Sequence, residues 1–224
     1  MLYDASRLDH PTPEVFEPSA WRSGTVQRTQ GGRGTVTFID DGDRRWVLRH
    51  YRRGGLLAGL LGDRYFWAGE DRSRSFREWR LLARLAEWSL PVPRPVAAGY
   101  SKTGLSYRAD LITEELPTRR TLAMALASAP LEDARWRSIG SCIARFHALG
   151  VQHADLNAHN VLLGDAGEVF LLDFDRGRIR ERGAWERAVL ARLRRSLEKV
   201  TAALPPDRFG EPQWRLLLAA CDGD

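Results

Sequence analysis

The chain has 224 residues, of which 43% are hydrophobic and 28% charged, and it carries a formal net charge of +5 at neutral pH. These values fit one globular functional unit and exclude a disordered or fibrous chain. Its two cysteines, Cys142 and Cys221, lie far apart and lack metal-ligand spacing, so they predict neither a disulfide framework nor a zinc site.

The chain also lacks the sequence marks of export. Residues 1–18 contain no basic segment followed by an apolar one, and no later stretch is apolar for long enough to span a bilayer. We therefore expect the protein to stay on the cytoplasmic side. The positive net charge favours an anionic partner, such as nucleic acid, phospholipid headgroups or a phosphorylated substrate.

The first half of the chain predicts a small β-rich lobe. Alternating apolar and polar residues with turn signals between them predict strands at 35–39, 45–51, 96–100 and 106–116. One further strand near the N-terminus would complete a five-stranded sheet. Residues 52–74 predict a loop with short helical pieces, and helical periodicity predicts a helix over 75–89, ended by Pro91 and Pro93.

The second half predicts a mostly helical lobe. Helical spacing of apolar residues predicts helices at 121–129, 131–149, 184–203 and 212–221. Between them VLL and VFLLDF, separated by GDAGE, predict a β-hairpin. The chain as a whole therefore predicts an α+β fold.

Chemistry-bearing residues concentrate in HADLNAHNVLLGDAGEVFLLDFD. His153, Asp155 and Asn160 have the order and spacing of the kinase catalytic loop H-x-D-L-x-x-x-N, and Asp173 begins a D-F-G-like element. In phosphoryl transfer one carboxylate receives the acceptor's proton, and oxygen ligands hold the magnesium ions that screen the phosphates. We expect Asp155 to be the proton acceptor, Asn160 and Asp173 to be the metal ligands, and His153 to orient the loop.

The first lobe contains candidates for binding the phosphates. Gly31, Gly34 and Val36 partly match the kinase glycine-rich loop, whose backbone N–H groups can approach phosphate oxygens. Arg49 stands where the phosphate-binding lysine is expected, and an arginine can bond both a phosphate and a carboxylate. Glu78 is the expected carboxylate partner, with Glu70 and Glu87 as weaker candidates.

The segment LITEELP predicts the connection between the lobes. Backbone groups from Glu114 to Leu116 would there hydrogen-bond the adenine ring of ATP. Asn157 occupies the position of the catalytic-loop lysine of protein kinases, and Asp175 replaces the glycine of D-F-G. Asn157 is expected to support the loop, whereas Asp175 is a candidate for contact with magnesium or the acceptor.

The segment after Asp173 favours a small acceptor. It predicts two helices and contains no A-P-E element, which leaves little room for the activation segment and large helical lobe that bind a polypeptide.

With these motifs placed, the chain resembles the lipopolysaccharide kinases, most closely those that act on 3-deoxy-D-manno-octulosonic acid (Kdo). The resemblance is carried by GRGTVTFI, VLRHYRRGGLLAGLLGDRYFW, FREWRLLARLAEWSLPVPRPVAAGY, YRADLITEELP, HADLNAHNVLL and VFLLDFDRGRIR. It implies one protein-kinase-like domain over residues 1–224, with lobes at about 1–116 and 117–224. It also implies transfer from ATP, with Mg²⁺, to a hydroxyl of Kdo in Kdo-bearing lipid A, expected to be the 4-OH, at the cytoplasmic face of the bacterial inner membrane.

Two basic segments are candidates for peripheral membrane contact. Residues 49–74 combine Arg52, Arg53, Arg64, Arg72 and Arg74 with the apolar residues Leu56, Leu57, Leu60, Leu61, Tyr65, Phe66 and Trp67. Exposed apolar groups beside arginines suit an anionic glycolipid at a membrane, although a loop folded over the small lobe fits equally. The predicted tail helix carries Arg187, Arg192, Arg194 and Arg195, and a solvated basic face is the simpler interpretation.

Several other functions stay open from sequence. A heptose kinase of the lipopolysaccharide core would use the same catalytic residues. A minimal protein kinase is disfavoured by the short C-terminal part and by Asn157, and a pseudokinase is supported only by Arg49. Nucleic-acid binding is not expected, because no recognisable motif or interleaved aromatic residues accompany the arginines. The sequence gives no oligomeric state.

Overall fold

The structure is a computed structural model that describes residues 1–21, 24–28, 35–40, 42, 44–52 and 62–223. The chain divides into two compact units, which we call the β-rich unit (residues 1–84 and 93–115) and the helical unit (residues 85–92 and 116–224). That they form one kinase-like domain stays a prediction.

The β-rich unit contains one antiparallel sheet with the strand order β1-β6-β7-β4-β3-β2, and β5 also pairs with β7. The strands are β1 (Leu2–Tyr3), β2 (Gly24–Arg28), β3 (Thr35–Asp40), β4 (Arg45–His50), β5 (Tyr65–Phe66), β6 (Pro95–Thr103) and β7 (Ser106–Glu114). One further strand was expected near the N-terminus, whereas the structure has two there, β1 and β2, and β5 was not predicted. A core cluster that includes Ile39, Leu48 and Ile112 fixes which face of the sheet is buried.

Helix α1 (Arg74–Glu87) begins in the β-rich unit. Apolar residues at helical spacing, including Phe76 and Leu82, are buried, and the Ser75 hydroxyl donates a hydrogen bond of 2.7 Å to the carbonyl oxygen of Gly99 in β6. The helix ends two residues before Ser89, which adopts a positive φ of 54°. Residues 53–61 of the predicted loop lie outside the described residues, and a short 3-10 turn forms at Glu70–Arg72.

The helical unit contains α2 (Leu122–Ser128), α3 (Asp133–Ala148), α4 (Trp185–Thr201) and α5 (Glu211–Asp222). All four match predicted helices to within two residues at each end. The prediction of an α+β fold with a β-rich first part and a mostly helical second part is therefore confirmed. Within the described ranges, no helix combines the length and the apolar composition needed to cross a membrane.

Two short antiparallel strand pairs frame the catalytic motif in the helical unit. The predicted hairpin forms from β9 (Val161–Leu163) and β10 (Val169–Leu171), which pair antiparallel with Val161 opposite Leu171. The second pair, β8 (Val151–Gln152) with β11 (Arg178–Ile179), was not predicted. Its two-residue strands are too short to give an alternation pattern that could be recognised in the sequence.

Gly140 in α3 permits close packing against α5, so we predict that Gly140→Ala destabilises the protein. An ideal Cβ at Gly140 would lie 2.2 Å from the carbonyl oxygen of Leu217, which the helix backbone cannot accommodate without shifting. Such overpacking costs about 1–3 kcal/mol, and thermal denaturation should show a fall in Tm of roughly 2–4 °C per kcal/mol.

Gly183→Ala is the matched control, because a Cβ there would meet no atom of the described residues within 4 Å. A Tm for Gly140→Ala equal to that of the wild type would contradict this account of the α3–α5 contact.

Candidate active site

The catalytic loop runs from residue 153 to residue 160 within the helical unit. His153 is buried at its start, and its Nε2 lies 2.7 Å from the carbonyl oxygen of Leu172. Its Nδ1 accepts a hydrogen bond of 3.2 Å from the backbone N–H of Asp155. Because burial lowers the pKa of His153, the ring is neutral, with its proton on Nε2. Sequence reasoning expected His153 to orient the loop, and these two contacts are suited to that role.

Two asparagine side chains close the loop on the backbone of Asp155. The Nδ2 groups of Asn157 and Asn160 donate to the Asp155 carbonyl oxygen at 2.8 and 3.0 Å. The Oδ1 of Asn157 accepts from the N–H of His159 at 2.9 Å. The backbone of Asp155 is thus held from several sides, whereas its side chain is 45% exposed.

The predicted metal ligands, Asn160 and Asp173, lie at the open end of the β9–β10 hairpin. The N–H of Leu172 donates to the carbonyl oxygen of Asn160 at 2.9 Å, which brings the neighbouring Asp173 beside Asn160. Asp173 has a φ of +63°, an uncommon conformation for a non-glycine residue that recurs at functional sites.

This donor set fits Mg²⁺ rather than a metal caged by protein. With Nδ2 of Asn160 hydrogen-bonded to Asp155, its Oδ1 is the amide atom left to face a cation, and Asp173 adds a carboxylate. Among the described residues, no group of three or more His, Cys, Asp and Glu side chains could hold a metal. Mg²⁺ in phosphate-transferring enzymes typically takes one or two carboxylates and completes its shell with phosphate oxygens and water.

In the β-rich unit, Arg49 of β4 forms an ion pair with Glu78 of α1 through Nη2 and Oε2. The Tyr51 hydroxyl donates to the same Oε2 at 2.5 Å and accepts from Nη2 of Arg49 at 3.0 Å. Burial, and then the charge of Glu78, raise the pKa of Tyr51 well above its usual value, so the hydroxyl keeps its proton. The side chain of Glu78 is 2% exposed and that of Arg49 is 22% exposed. Arg49 is therefore anchored at one edge while part of its guanidinium reaches solvent.

The other predicted nucleotide-binding residues are only partly within the described chain. Val36 lies in β3 directly opposite Arg49 of β4, whereas Gly31 and Gly34 lie outside the described residues. The N–H groups of Glu114 and Glu115 donate to the carbonyl oxygens of Arg94 and Arg45 at 2.8 and 2.9 Å.

The side chain of Glu114 is also occupied, because its Oε1 lies 2.9 Å from Nη2 of Arg7. The N–H groups of Glu114 and Glu115 already donate to other backbone oxygens. In this segment the N–H of Leu116 is therefore the candidate donor to the adenine ring.

The model of the lipopolysaccharide kinase (Kdo/WaaP) family matches residues 20–220. The chain belongs to the lipopolysaccharide kinase (Kdo/WaaP) family. The predictions of this family and of an ATP-dependent kinase are therefore confirmed, whereas the roles assigned to individual residues stay predictions.

Three relatives of this lipopolysaccharide kinase carry the name 3-deoxy-D-manno-octulosonic acid kinase. The protein of Stenotrophomonas maltophilia (strain R551-3) is 47% identical over 202 residues, which cover 89% of this chain and 80% of the relative. Those of Xylella fastidiosa (strain 9a5c) and Xanthomonas campestris pv. campestris (strain B100) are 44% and 45% identical over 201 residues, with the same coverage.

Sequence reasoning missed two residues that contact the candidate site of this lipopolysaccharide kinase. Tyr51 gave no motif signal, because its role depends on the packing of α1 against β4. Arg192 was interpreted as part of a solvated basic face; it is 49% exposed, but its guanidinium also contacts the carboxylate of Asp155, which was not predicted. Arg194 of the same helix is also paired, with Glu198 and Glu211.

We predict that Glu78→Gln lowers both stability and ATP affinity. The substitution removes the negative charge that pairs with the partly buried guanidinium of Arg49. The cost should stay below the ~3–5 kcal/mol of a fully buried pair, because Arg49 is partly exposed. Thermal denaturation should show a lower Tm, and steady-state kinetics should show a higher KM for ATP.

Glu87→Gln, an exposed glutamate of the same helix, is the control and should leave both quantities near wild type. Equal effects of the two substitutions would contradict a specific role for Glu78.

Proposed function

We propose that this chain transfers the γ-phosphoryl group of ATP to a hydroxyl of Kdo in a Kdo-bearing lipid A. The observation that carries the reaction type is the arrangement around β9 and β10: an exposed carboxylate on Asp155 beside the oxygen ligands Asn160 and Asp173. The names of relatives at 44–47% identity support Kdo as the acceptor sugar.

Asp155 acts as the proton acceptor in this proposal. Both hydrogen bonds from Arg192 fall on its Oδ1, and Oδ2 makes no hydrogen bond within the described part of the chain. The acceptor hydroxyl gives its proton to Oδ2 while its oxygen attacks the γ-phosphorus, and the bond to the β–γ bridging oxygen breaks to release ADP. Because the backbone of Asp155 is held by Asn157, Asn160 and His153, the carboxylate is positioned before the substrate arrives.

Asn160 and Asp173 would hold Mg²⁺, which when bound screens the charges of the β- and γ-phosphates. In the β-rich unit, Arg49 would bind a phosphate through its permanently charged guanidinium, which is 22% exposed. An arginine suits this position because its planar fork can hold a carboxylate and a phosphate at once.

Membrane contact is best supported at one tip of the β-rich unit. Phe66 is 68% exposed and Leu105 is 77% exposed, and the two segments are joined by a hydrogen bond of 2.9 Å from the N–H of Trp67 to the carbonyl oxygen of Leu105. Lys102 lies nearby, with its Nζ 5.5 Å from the Trp67 ring centroid. Apolar side chains beside a cation suit the surface of an anionic bilayer.

Two of the apolar residues proposed for this contact from sequence pack within the β-rich unit instead. Tyr65 is buried, and Trp67 packs against Tyr100 and Tyr107 with ring centroids 4.7 and 5.6 Å apart. Leu56, Leu57, Leu60 and Leu61 lie outside the described residues. We propose that Phe66 and Leu105 make a peripheral contact with the cytoplasmic face of the inner membrane.

We predict that the purified protein labels Kdo-bearing lipid A from γ-labelled ATP with Mg²⁺, and that Asp155→Asn removes the activity. Loss of one carboxylate charge removes the proton acceptor, which in enzymes of this type contributes about 10²–10⁴-fold. Asp173→Asn should raise the Mg²⁺ concentration needed for half-maximal rate. NMR of the product would test phosphorylation at the 4-OH.

Acceptors that bear heptose, and a generic protein, complete the comparison. Preferential labelling of the heptose-bearing acceptor would mean that heptose, and not Kdo, is the acceptor sugar. The roles proposed for the catalytic residues would be unchanged. Full activity of Asp155→Asn would refute its proposed role.

We predict that the double substitution Phe66→Ser and Leu105→Ser weakens binding to vesicles containing phosphatidylglycerol. Burying two such side chains is worth about 1.5–3 kcal/mol each when complete, so partition should fall at least about tenfold. Ile179→Ser, an exposed apolar residue of the helical unit, serves as control in the same cosedimentation assay. Unchanged binding of the double variant would place the membrane contact elsewhere.

A further inference from the structure

The contact between Arg192 and Asp155 joins α4 to the catalytic loop across 37 positions of sequence. The Nε of Arg192 donates to Oδ1 of Asp155 at 2.8 Å, and Nη2 donates to the same oxygen. The guanidinium therefore engages one carboxylate oxygen through two donors and leaves Oδ2 to the acceptor.

A second contact from the next turn of α4 supports the first. Ser196, four residues after Arg192 and on the same face of the helix, accepts a hydrogen bond of 3.1 Å from the N–H of Ala158. The adjacent positions Leu193 and Leu197 are fully buried. The buried side of α4 thus fixes the helix in place. Arg192 and Ser196, one turn apart, then contact the catalytic loop at Asp155 and at Ala158.

The loop itself supplies no charge at the position where protein kinases carry a lysine. Asn157 occupies that position, and its amide is used in the turn by Asp155 and His159. His153 is neutral because burial lowers its pKa. Arg192 brings a permanent positive charge to Asp155 from another element.

Stability does not account for this ion pair. The two side chains are 49% and 45% exposed, and ion pairs between exposed side chains contribute little to folding. Arg192 nevertheless contacts the residue proposed as proton acceptor, and it does so with the two donors of one edge of its guanidinium. Its effect is therefore expected on the rate of transfer rather than on Tm.

We propose that Arg192 is a positioning residue for catalysis: it holds Asp155 through Oδ1 so that Oδ2 faces the acceptor hydroxyl. This proposal rests on the proposed function, because it assigns Asp155 the role of proton acceptor. The proton passes to Oδ2 as the new oxygen–phosphorus bond forms, and Arg192 keeps its own protons throughout.

The test compares Arg192→Ala and Arg192→Lys with Arg195→Ala, an exposed arginine of α4 that forms no ion pair within the described part of the chain. For each variant kcat, KM for ATP and Tm are measured. Arg192→Ala should lose about 100-fold in kcat, the effect of a misplaced catalytic group, with KM for ATP and Tm near wild type. Arg192→Lys should lose less, because it keeps the charge but not the two-donor edge.

Added guanidinium at millimolar concentration gives a readout that a structural role would not move. It should restore part of the rate of Arg192→Ala, since the half-exposed position can admit a free guanidinium ion, and it should not restore Asp155→Asn. A wild-type kcat in Arg192→Ala overturns the proposal, as does a rate loss that only follows a fall in Tm. A raised kcat also overturns it, because the pair would then be an inhibitory contact.

Hydrolysis of ATP, with water as the acceptor, separates this proposal from the choice of substrate. Asp155-dependent hydrolysis without labelling of the Kdo-bearing lipid would refute the proposed acceptor, and the Arg192 variants would still be judged by their hydrolysis rates. Absence of any Asp155-dependent turnover of ATP would overturn both proposals.

Discussion

One buried imidazole fixes the spacing on which the catalytic loop of the helical unit depends. His153 donates from Nε2 to the carbonyl oxygen of Leu172 and accepts at Nδ1 from the N–H of Asp155. A neutral histidine has one donor and one acceptor, whereas a protonated one has two donors and would lose the second contact. Burial lowers the pKa of His153 and so favours the form that the geometry requires.

Packing around this imidazole also supports the unusual backbone of Asp173. Phe174 follows Asp173 directly, and its buried ring contacts His153 and Phe146 with centroids 4.6 and 5.7 Å apart. On the other side, the N–H of Leu172 is held by the carbonyl oxygen of Asn160. A non-glycine residue at positive φ persists only when its neighbours are fixed in this way, and here they are fixed by hydrogen bonds before it and aromatic packing after it.

Sequence reasoning succeeded where local patterns determine the outcome. The β9–β10 hairpin follows from two short apolar runs around a turn segment, and the four helices of the helical unit follow from helical periodicity; both signals depend on residues close in sequence. Helix α1 spans Arg74–Glu87 instead of the predicted 75–89. The residues that precede Pro91 make contacts within the helical unit, including a hydrogen bond from Arg145 to the carbonyl oxygen of Ser89.

What sequence reasoning missed are contacts between residues distant in the chain. Arg192 and Asp155 are 37 positions apart, and Tyr51 and Glu78 are 27 apart. No period or motif links such pairs, since the contact exists only once the elements have packed. The fold and the catalytic motif could therefore be predicted, whereas the partners that position its charged groups could not.

The two arginine–carboxylate pairs differ in burial, and this difference fits the separate roles proposed for them. Glu78 is almost completely buried, so its charge requires Arg49 and Tyr51, and the pair is part of the folded framework. Asp155 is nearly half exposed, so water could satisfy its charge without Arg192. Asp155 does not need Arg192 for solvation, yet two donors of Arg192 hold one of its oxygens. The pair therefore fixes the direction of the carboxylate and adds little to the stability of the fold. That constraint is what a proton acceptor needs, because its free oxygen must already point at the hydroxyl when phosphoryl transfer begins.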